Sequence, residues 1–188
     1  MGFKIFRMSI AWSRIFTKGI EEEPNQEGLD FYRNMFLELK KYNIELLVTL
    51  LHSDTPFYLE EELGGWTNRE LIHYFDGYSE VVFKEYRDLV KYWLTFKEIN
   101  SLTLTLDFFR EKPSNEVYNN HHQALHNQFV ASVRAVKRAH EINPEYKVGC
   151  MIVGICTYTL TCDSLDVLAT KKKREDNIYY CGDVMVSG

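Results

Sequence analysis

The chain has 188 residues, 45% of them hydrophobic and 26% charged, the makeup of soluble globular material able to bury a core. That length and balance exclude a disordered tail, a disulfide mini-protein and a multi-domain assembly. The 22 Lys and Arg against 27 Asp and Glu give a net charge of −5, without the basic footprint of a nucleic-acid binder.

In chain order, Lys4 to Trp12 (KIFRMSIAW) reads as a strand, and Gly19 to Gly28 as an acidic loop around Pro24. Leu29, Tyr32, Phe36 and Leu39 recur at helical period, predicting a helix over Leu29 to Tyr42. Ile44 to Leu51 is nearly continuous apolar sequence, the mark of a strand buried on both faces. Gly64-Gly65 breaks the chain. Asn68 is placed to cap a helix over Arg69 to Tyr86. Leu89 to Phe96 reads as a third strand. Asn119 to Ile142 is a long helix stopped by Asn143-Pro144. Tyr146 to Ile155 is a fourth strand, Asp163 to Lys173 a helix capped by Asp163, and Asp183 to Val186 the start of a fifth strand.

This βαβαβαβα order, with apolar strands, predicts an α/β fold with a parallel sheet covered by helices. No glycine-rich phosphate loop follows any strand, so Rossmann and P-loop readings have no support. Polar residues gather instead where strands end: Ser13 and Arg14, His52 and Asp54, Lys97 and Glu98. A (β/α)8 barrel builds its active site there.

The four cysteines, Cys150, Cys156, Cys162 and Cys181, lack paired spacing. They are expected to be reduced structural thiols in a cytoplasmic protein. No apolar core of a signal peptide follows Met1, and no apolar run spans a membrane.

Glu98 ends an apolar strand. Beside aromatic walls such a carboxyl group is favoured in its protonated form and suits a general acid; the alternative is a solvent-facing strand end. His52 sits at a corner set by Pro56, and either donates a hydrogen bond to a sugar hydroxyl or satisfies local backbone. Arg7 lies mid-strand on the face of Phe3, Ile5 and Ser9. Inside a barrel its guanidinium requires a carboxylate partner; Glu98 is the one clear candidate within the chain, but an acid catalyst would not keep a raised pKa beside an arginine. His122 and His126 have i, i+4 spacing, but no carboxylate completes a metal site. Lys171 to Arg174 reads as a solvated helix end. Trp12, Trp66 and Trp93 read as core.

Several strings, in order, resemble family one glycoside hydrolases: FRMSIAWSRI at Phe6 to Ile15, LVTLLH at Leu47 to His52, GGWTN at Gly64 to Asn68 and YWLTFKEIN at Tyr92 to Asn100. Phe129 to Ser132, Val148 to Ile152 and Leu160 to Asp163 continue the likeness and resemble its 6-phospho-β-glucosidase branch. The resemblance implies a retaining glycosidase on a (β/α)8 TIM barrel, with no cofactor and no metal. It makes Glu98 the catalytic acid/base and His52 a ligand of a sugar hydroxyl. Arg7 matches the arginine that contacts the nucleophile. Ser53 follows His52 where plain glucosidases often carry Trp.

Two departures stand out. Lys97 takes the place of the family Asn whose amide contacts the sugar 2-hydroxyl. Lysine offers three donors but no acceptor, and its charge favours carboxylate over acid next door. The family's nucleophile string, ENG, is absent from the sequence, as is its first strand with a sugar-binding Gln. Met1-Gly2-Phe3-Lys4 resembles an internal MGFK of longer relatives. The expectation is a partial barrel, roughly half: residues 1–188 as one incomplete domain with strands two to five. Its expected partner is a phosphorylated β-glucoside, with neither nucleic acid nor membrane, and its open sheet edges favour self-association. Taken alone it should be inactive. The competing readings are a non-catalytic remnant of a decaying glycosidase gene, a plain β-glucosidase, and a sugar-binding module.

Overall fold

The structure is a computed structural model that describes residues 2–106 and 113–187. Strand β1 (Ile5–Ser9) leads into a single turn, α1 (Trp12–Ile15), and then α2 (Gln26–Lys41). β2 (Glu45–Leu51) is followed by α3 (Phe57–Glu61), a 3-10 turn at Gly65–Thr67 and α4 (Leu71–Glu85). β3 (Tyr92–Phe96) is followed by α5 (Ser101–Leu106) and α6 (Asn115–Ile142). β4 (Lys147–Gly149) precedes α7 (Ser164–Arg174), a π-helical turn at Glu175–Tyr179 and α8 (Tyr180–Ser187).

The strands form one parallel sheet in the order β1-β2-β3-β4, each paired with its sequence neighbour. With helices between strands, this is the α/β architecture of a partial (β/α)8 barrel. Side-chain alternation separates two faces. On one, Leu46, Val48 and Leu50 are fully buried, and Trp93 packs edge-on against Phe83 of α4 at 5.0 Å. Thr95 shares a 2.7 Å hydrogen bond with Ser132 of α6. On the other face, the row Arg7-Leu47-Tyr92 runs across three strands, and neither Arg7 nor Tyr92 is covered. β2 therefore alternates in its lower half and is buried on both faces only over Val48–Leu51, a correction to the prediction for the whole run.

Apolar period explains how the helices dock. α2 buries Leu29, Tyr32 and Phe36, and Tyr86 at the end of α4 donates its hydroxyl to the Leu29 carbonyl at 2.9 Å. Gly28 lets α2 approach closely, because a Cβ there would lie 2.3 Å from the Arg14 carbonyl oxygen. α6 packs on α4 and fully buries the small residues Ala131, Ala135 and Ala139, and Arg138 reaches Asp76 of α4 at 3.0 Å.

The predicted helices over Leu29 to Tyr42 and Asn119 to Ile142 both begin earlier than their apolar periods suggest. Ser114 sets the start of α6 by accepting from the Val117 N–H. Asp163 caps α7 as predicted, accepting from Leu165 N–H at 2.8 Å. Asn68 instead accepts from Glu70 N–H, so α4 starts at Leu71. β1 stops at Ser9, before the predicted Trp12, because Trp12 turns into the helix layer and stacks on Tyr78 at 5.2 Å. The expected strand at Asp183 to Val186 is helical, part of α8. A run of four residues cannot separate strand from helix by periodicity, and here the chain continues from α7 through the π-helical turn.

Candidate active site

The candidate site lies where β2 and β3 end side by side. Leu51 pairs with Phe96, and the Lys97 N–H donates to the Leu51 carbonyl at 2.9 Å. His52 and Lys97 are thus the first residues past two adjacent strands. Asp54 accepts from the His52 N–H at 2.9 Å, closing the turn after β2. One residue further on, Ser53 and Glu98 adopt left-handed backbone, with φ of 59° and 50°. For a residue with a Cβ this costs about 1–2 kcal/mol, and such outliers gather at functional sites.

Glu98 is held from both sides of its backbone. Its carbonyl accepts from Ser101 N–H at 2.7 Å, starting α5. Ile99 N–H donates to Met151 O at 2.9 Å, tying the turn to the chain beyond β4. Its carboxylate oxygen Oε2 lies 3.0 Å from Lys97 Nζ, in an ion pair whose side chains are 25% and 30% exposed. Lys97, but neither Glu98 nor His52, also lines a cavity of about 190 Å³, together with Leu51, Ser53, Thr55, Glu60, Trp66, Phe96, Ser101, Leu102 and Gln128. Trp66 fixes one wall: its indole donates to Thr55 Oγ1 at 3.1 Å, and its ring packs edge-on against Phe96 at 5.4 Å.

Of the residues singled out from sequence, the structure brings Glu98, Lys97 and His52 together at one level. The His52 side chain is exposed. Arg7 is not part of this cluster. It stands in the row of Leu47, before the strand ends, is exposed, and forms no ion pair among the described residues. Arg7 and Glu98 are not paired: the sheet face that carries Arg7 is uncovered, so its charge stays in water, and Glu98 is engaged by Lys97. His122 bonds the Tyr118 carbonyl through Nδ1 at 2.9 Å, and its ring lies 4.1 Å from that of Tyr118.

Sequence reading missed the groups that build the site from behind. Asn100, fully buried, donates to Val153 O at 3.0 Å and accepts from Val153 N–H at 2.9 Å. Tyr78 of α4 reaches the carbonyls of Ile10 and Leu50 at 3.2 and 3.0 Å, latching the ends of β1 and β2. Burial, with the nearby Asp54 charge second, pushes this phenol well above its ordinary range, so it remains a donor. Asn127 of α6 donates to the Trp66 carbonyl at 2.9 Å. The legible signal was a polar tip on an otherwise apolar stripe, as at Phe75, Tyr78 and Val82, because a buried polar group needs a partner.

The profile described as Glycosyl hydrolase family 1 matches residues 1–188. A 6-phospho-beta-glucosidase of Clostridium longisporum is 46% identical over 192 residues, covering 100% of this chain and 40% of its own length. The 6-phospho-beta-glucosidase AscB of Escherichia coli K12 is also 46% identical, again with 100% and 40% covered. A family 1 β-glucosidase from Thermotoga maritima superposes with a TM-score of 0.84 at 32% identity, over 94% of this chain and 39% of that one. The chain thus spans about 40% of the length of the curated relatives it matches.

Proposed function

The chain belongs to glycosyl hydrolase family 1, and from that premise we propose that it carries the acid/base half of a retaining 6-phospho-β-glucosidase. The observation that carries the reading is the position of Glu98: the end of a parallel strand, on a left-handed backbone turn, with His52 at the end of the neighbouring strand. In the retaining reaction one carboxyl group serves the leaving oxygen and then water, while a second, about 5–5.5 Å away, attacks the anomeric carbon. Glu98 takes the first role. His52, exposed at the mouth, donates to a sugar hydroxyl. Lys97 meets the sugar beside Glu98. Arg7, on the uncovered sheet face, steers the second carboxylate.

These 188 residues hold no ENG string, the family's nucleophile motif. Residues 1–188 act as one incomplete barrel domain, inactive alone and inclined to self-associate through the edges of β1 and β4. The two-carboxylate chemistry uses no cofactor. The phosphorylated substrate is supported by the two relatives named as 6-phospho-beta-glucosidases, matched over all of the chain. A plain-glucoside specificity has weaker support: Beta-glucosidase 42 of Arabidopsis thaliana is 38% identical over 71% of the chain.

The Lys97–Glu98 pair favours a second reading, a non-catalytic remnant, since it alters the environment of the acid. Activity separates the two. Residues 1–188 alone should not hydrolyse an aryl β-glucoside 6-phosphate, and turnover abolished by Glu98→Gln would refute that inactivity. A polypeptide that completes the barrel should hydrolyse the phosphorylated substrate in preference to the plain one, and lose roughly 100-fold or more in kcat on Glu98→Gln. Absence of any turnover there favours the remnant.

A further inference from the structure

Residues 150–163, which follow β4, hold no helix or strand, yet the start of this segment is fastened to the turn that carries Glu98. Met151 N–H donates to the Phe96 carbonyl at 3.0 Å, and Ile99 N–H donates to the Met151 carbonyl at 2.9 Å. At Val153 a side chain takes the place of a strand. Asn100 donates to its carbonyl at 3.0 Å and accepts from its N–H at 2.9 Å. Asn100 is fully buried, so water does not compete for either bond. Just beyond, Gly154, Ile155 and Cys156 are exposed.

Glu98 lies between two sets of anchors. On the β2 side, Lys97 N–H holds the Leu51 carbonyl. On the other, Ile99 and Asn100 hold Met151 and Val153. The left-handed φ of 50° at Glu98 is unfavourable for a residue with a Cβ, so the turn keeps its shape through these neighbours. We propose that Asn100 is a positioning residue for the acid/base: its two bonds to Val153 hold the Glu98 turn, and with it the carboxyl group, at the level from which a proton reaches the glycosidic oxygen. The inference rests on Glu98 being the acid/base. Asn100 acts through main chain two residues away and not on the substrate. Without the clamp, the hold on that side falls back on Met151, and the strained torsion is free to relax. His52 stands at the end of the neighbouring strand, in a turn closed by Asp54, so its contact with the sugar depends on other bonds.

The test uses a polypeptide that completes the barrel, with rates expressed per folded molecule and measured below the melting transition. A shift of about 1 Å in a reacting group costs on the order of 100-fold, so kcat of Asn100→Ala on the phenyl 6-phospho-β-glucoside should fall by about 10- to 100-fold. KM should change by less than about threefold, because the loss falls on the transition state and not on sugar binding. Asn100→Asp adds a signature that lost stability does not produce. Protonated, its carboxyl group offers a donor and an acceptor in one plane, as the amide does; ionised, it offers acceptors alone and opposes the Val153 carbonyl. Its kcat should therefore approach that of the parent at low pH and fall away from it as pH rises, while the ratio of Asn100→Ala to parent stays level. Taking the ratio at each pH removes the titration of Glu98, Lys97 and His52, the ionisable groups of the site. If the alanine variant does not fold, the aspartate ratio decides alone. A folded alanine variant with kcat within about twofold of the parent, or an aspartate ratio level across pH, overturns the proposal and leaves the proposed function standing. Failure of the folded parent to hydrolyse the substrate overturns the proposed function, and this inference with it.

Discussion

The side chain of Asn100 pairs with the backbone of Val153 as a neighbouring strand would, giving one hydrogen bond at 3.0 Å and taking one at 2.9 Å. A primary amide can do this because it carries a donor and an acceptor in one plane. The pair lies two residues past Glu98 and extends the contact of β3 and β4 beyond the last regular strand residue, in line with the bond from Ile99 N–H to Met151 O.

Asn100→Ala removes both bonds at a fully buried position. Each buried partner left unsatisfied costs about 1–3 kcal/mol, so urea unfolding should show a loss of about 2–6 kcal/mol. Faster hydrogen exchange at the Val153 amide should accompany it. A loss below about half a kcal/mol would mean that the two bonds are replaced by water.

At Glu98 the backbone φ of 50° penalises any side chain. Glu98→Gly should therefore be more stable than Glu98→Ala by about 1 kcal/mol, the reverse of the usual order of glycine and alanine. Paired urea melts decide this. An alanine variant at least as stable as the glycine variant would show that the turn relaxes when Glu98 is removed.

Gly28 tests the opposite constraint, space rather than torsion. Its Cβ would sit 2.3 Å from a backbone oxygen of Arg14, which no rotamer change can move. Gly28→Ala should cost about 1–3 kcal/mol, although alanine is the better helix former by about 1 kcal/mol. A thermal midpoint equal to or above that of the parent chain would contradict this packing.

Alkaline stability depends on buried and half-buried thiols and phenols, Cys181, Cys150 and Tyr146 together with Tyr78 and Tyr86. Burial pushes the Cys181 thiol up to about 12 and the Cys150 thiol to about 11 from 9.0. It pushes the Tyr146 phenol to about 12 from 10.0. Below pH 9.0 these groups are protonated in both folded and unfolded chains. Above it the unfolded chain releases protons that the folded chain keeps, so stability falls as pH rises through about 9 to 12. Urea midpoints should be level from neutral pH to about 8 and then decline, less steeply in Cys181→Ala. A flat midpoint to about pH 11 would disprove the linkage.

How far the sequence reveals the molecule depends on the range of the interaction concerned. β2 and α2 follow from local apolar pattern, and Asp163 announces its cap because the bond spans two residues. Glu98 and His52 were legible as neighbours because parallel strands in sequence order bring their ends together. The exposure of Arg7 was not, since it depends on what covers a whole sheet face. Nor was the pairing of Asn100 with Val153, 53 residues apart. Helix α8 was misread because its fate is set by the helix before it, while its own letters suit a strand equally well.

The matched left-handed residues Ser53 and Glu98 have a practical consequence. Each is the second residue past a pair of strand ends that lie in register, Leu51 and Phe96. The level at which both strands leave the sheet is thus encoded in main-chain torsion, which outlasts exchange of one side chain for another of similar size. Replacing the carboxylate of Glu98 by an amide alters charge and proton capacity at a fixed address, so a change in rate can be attributed to chemistry.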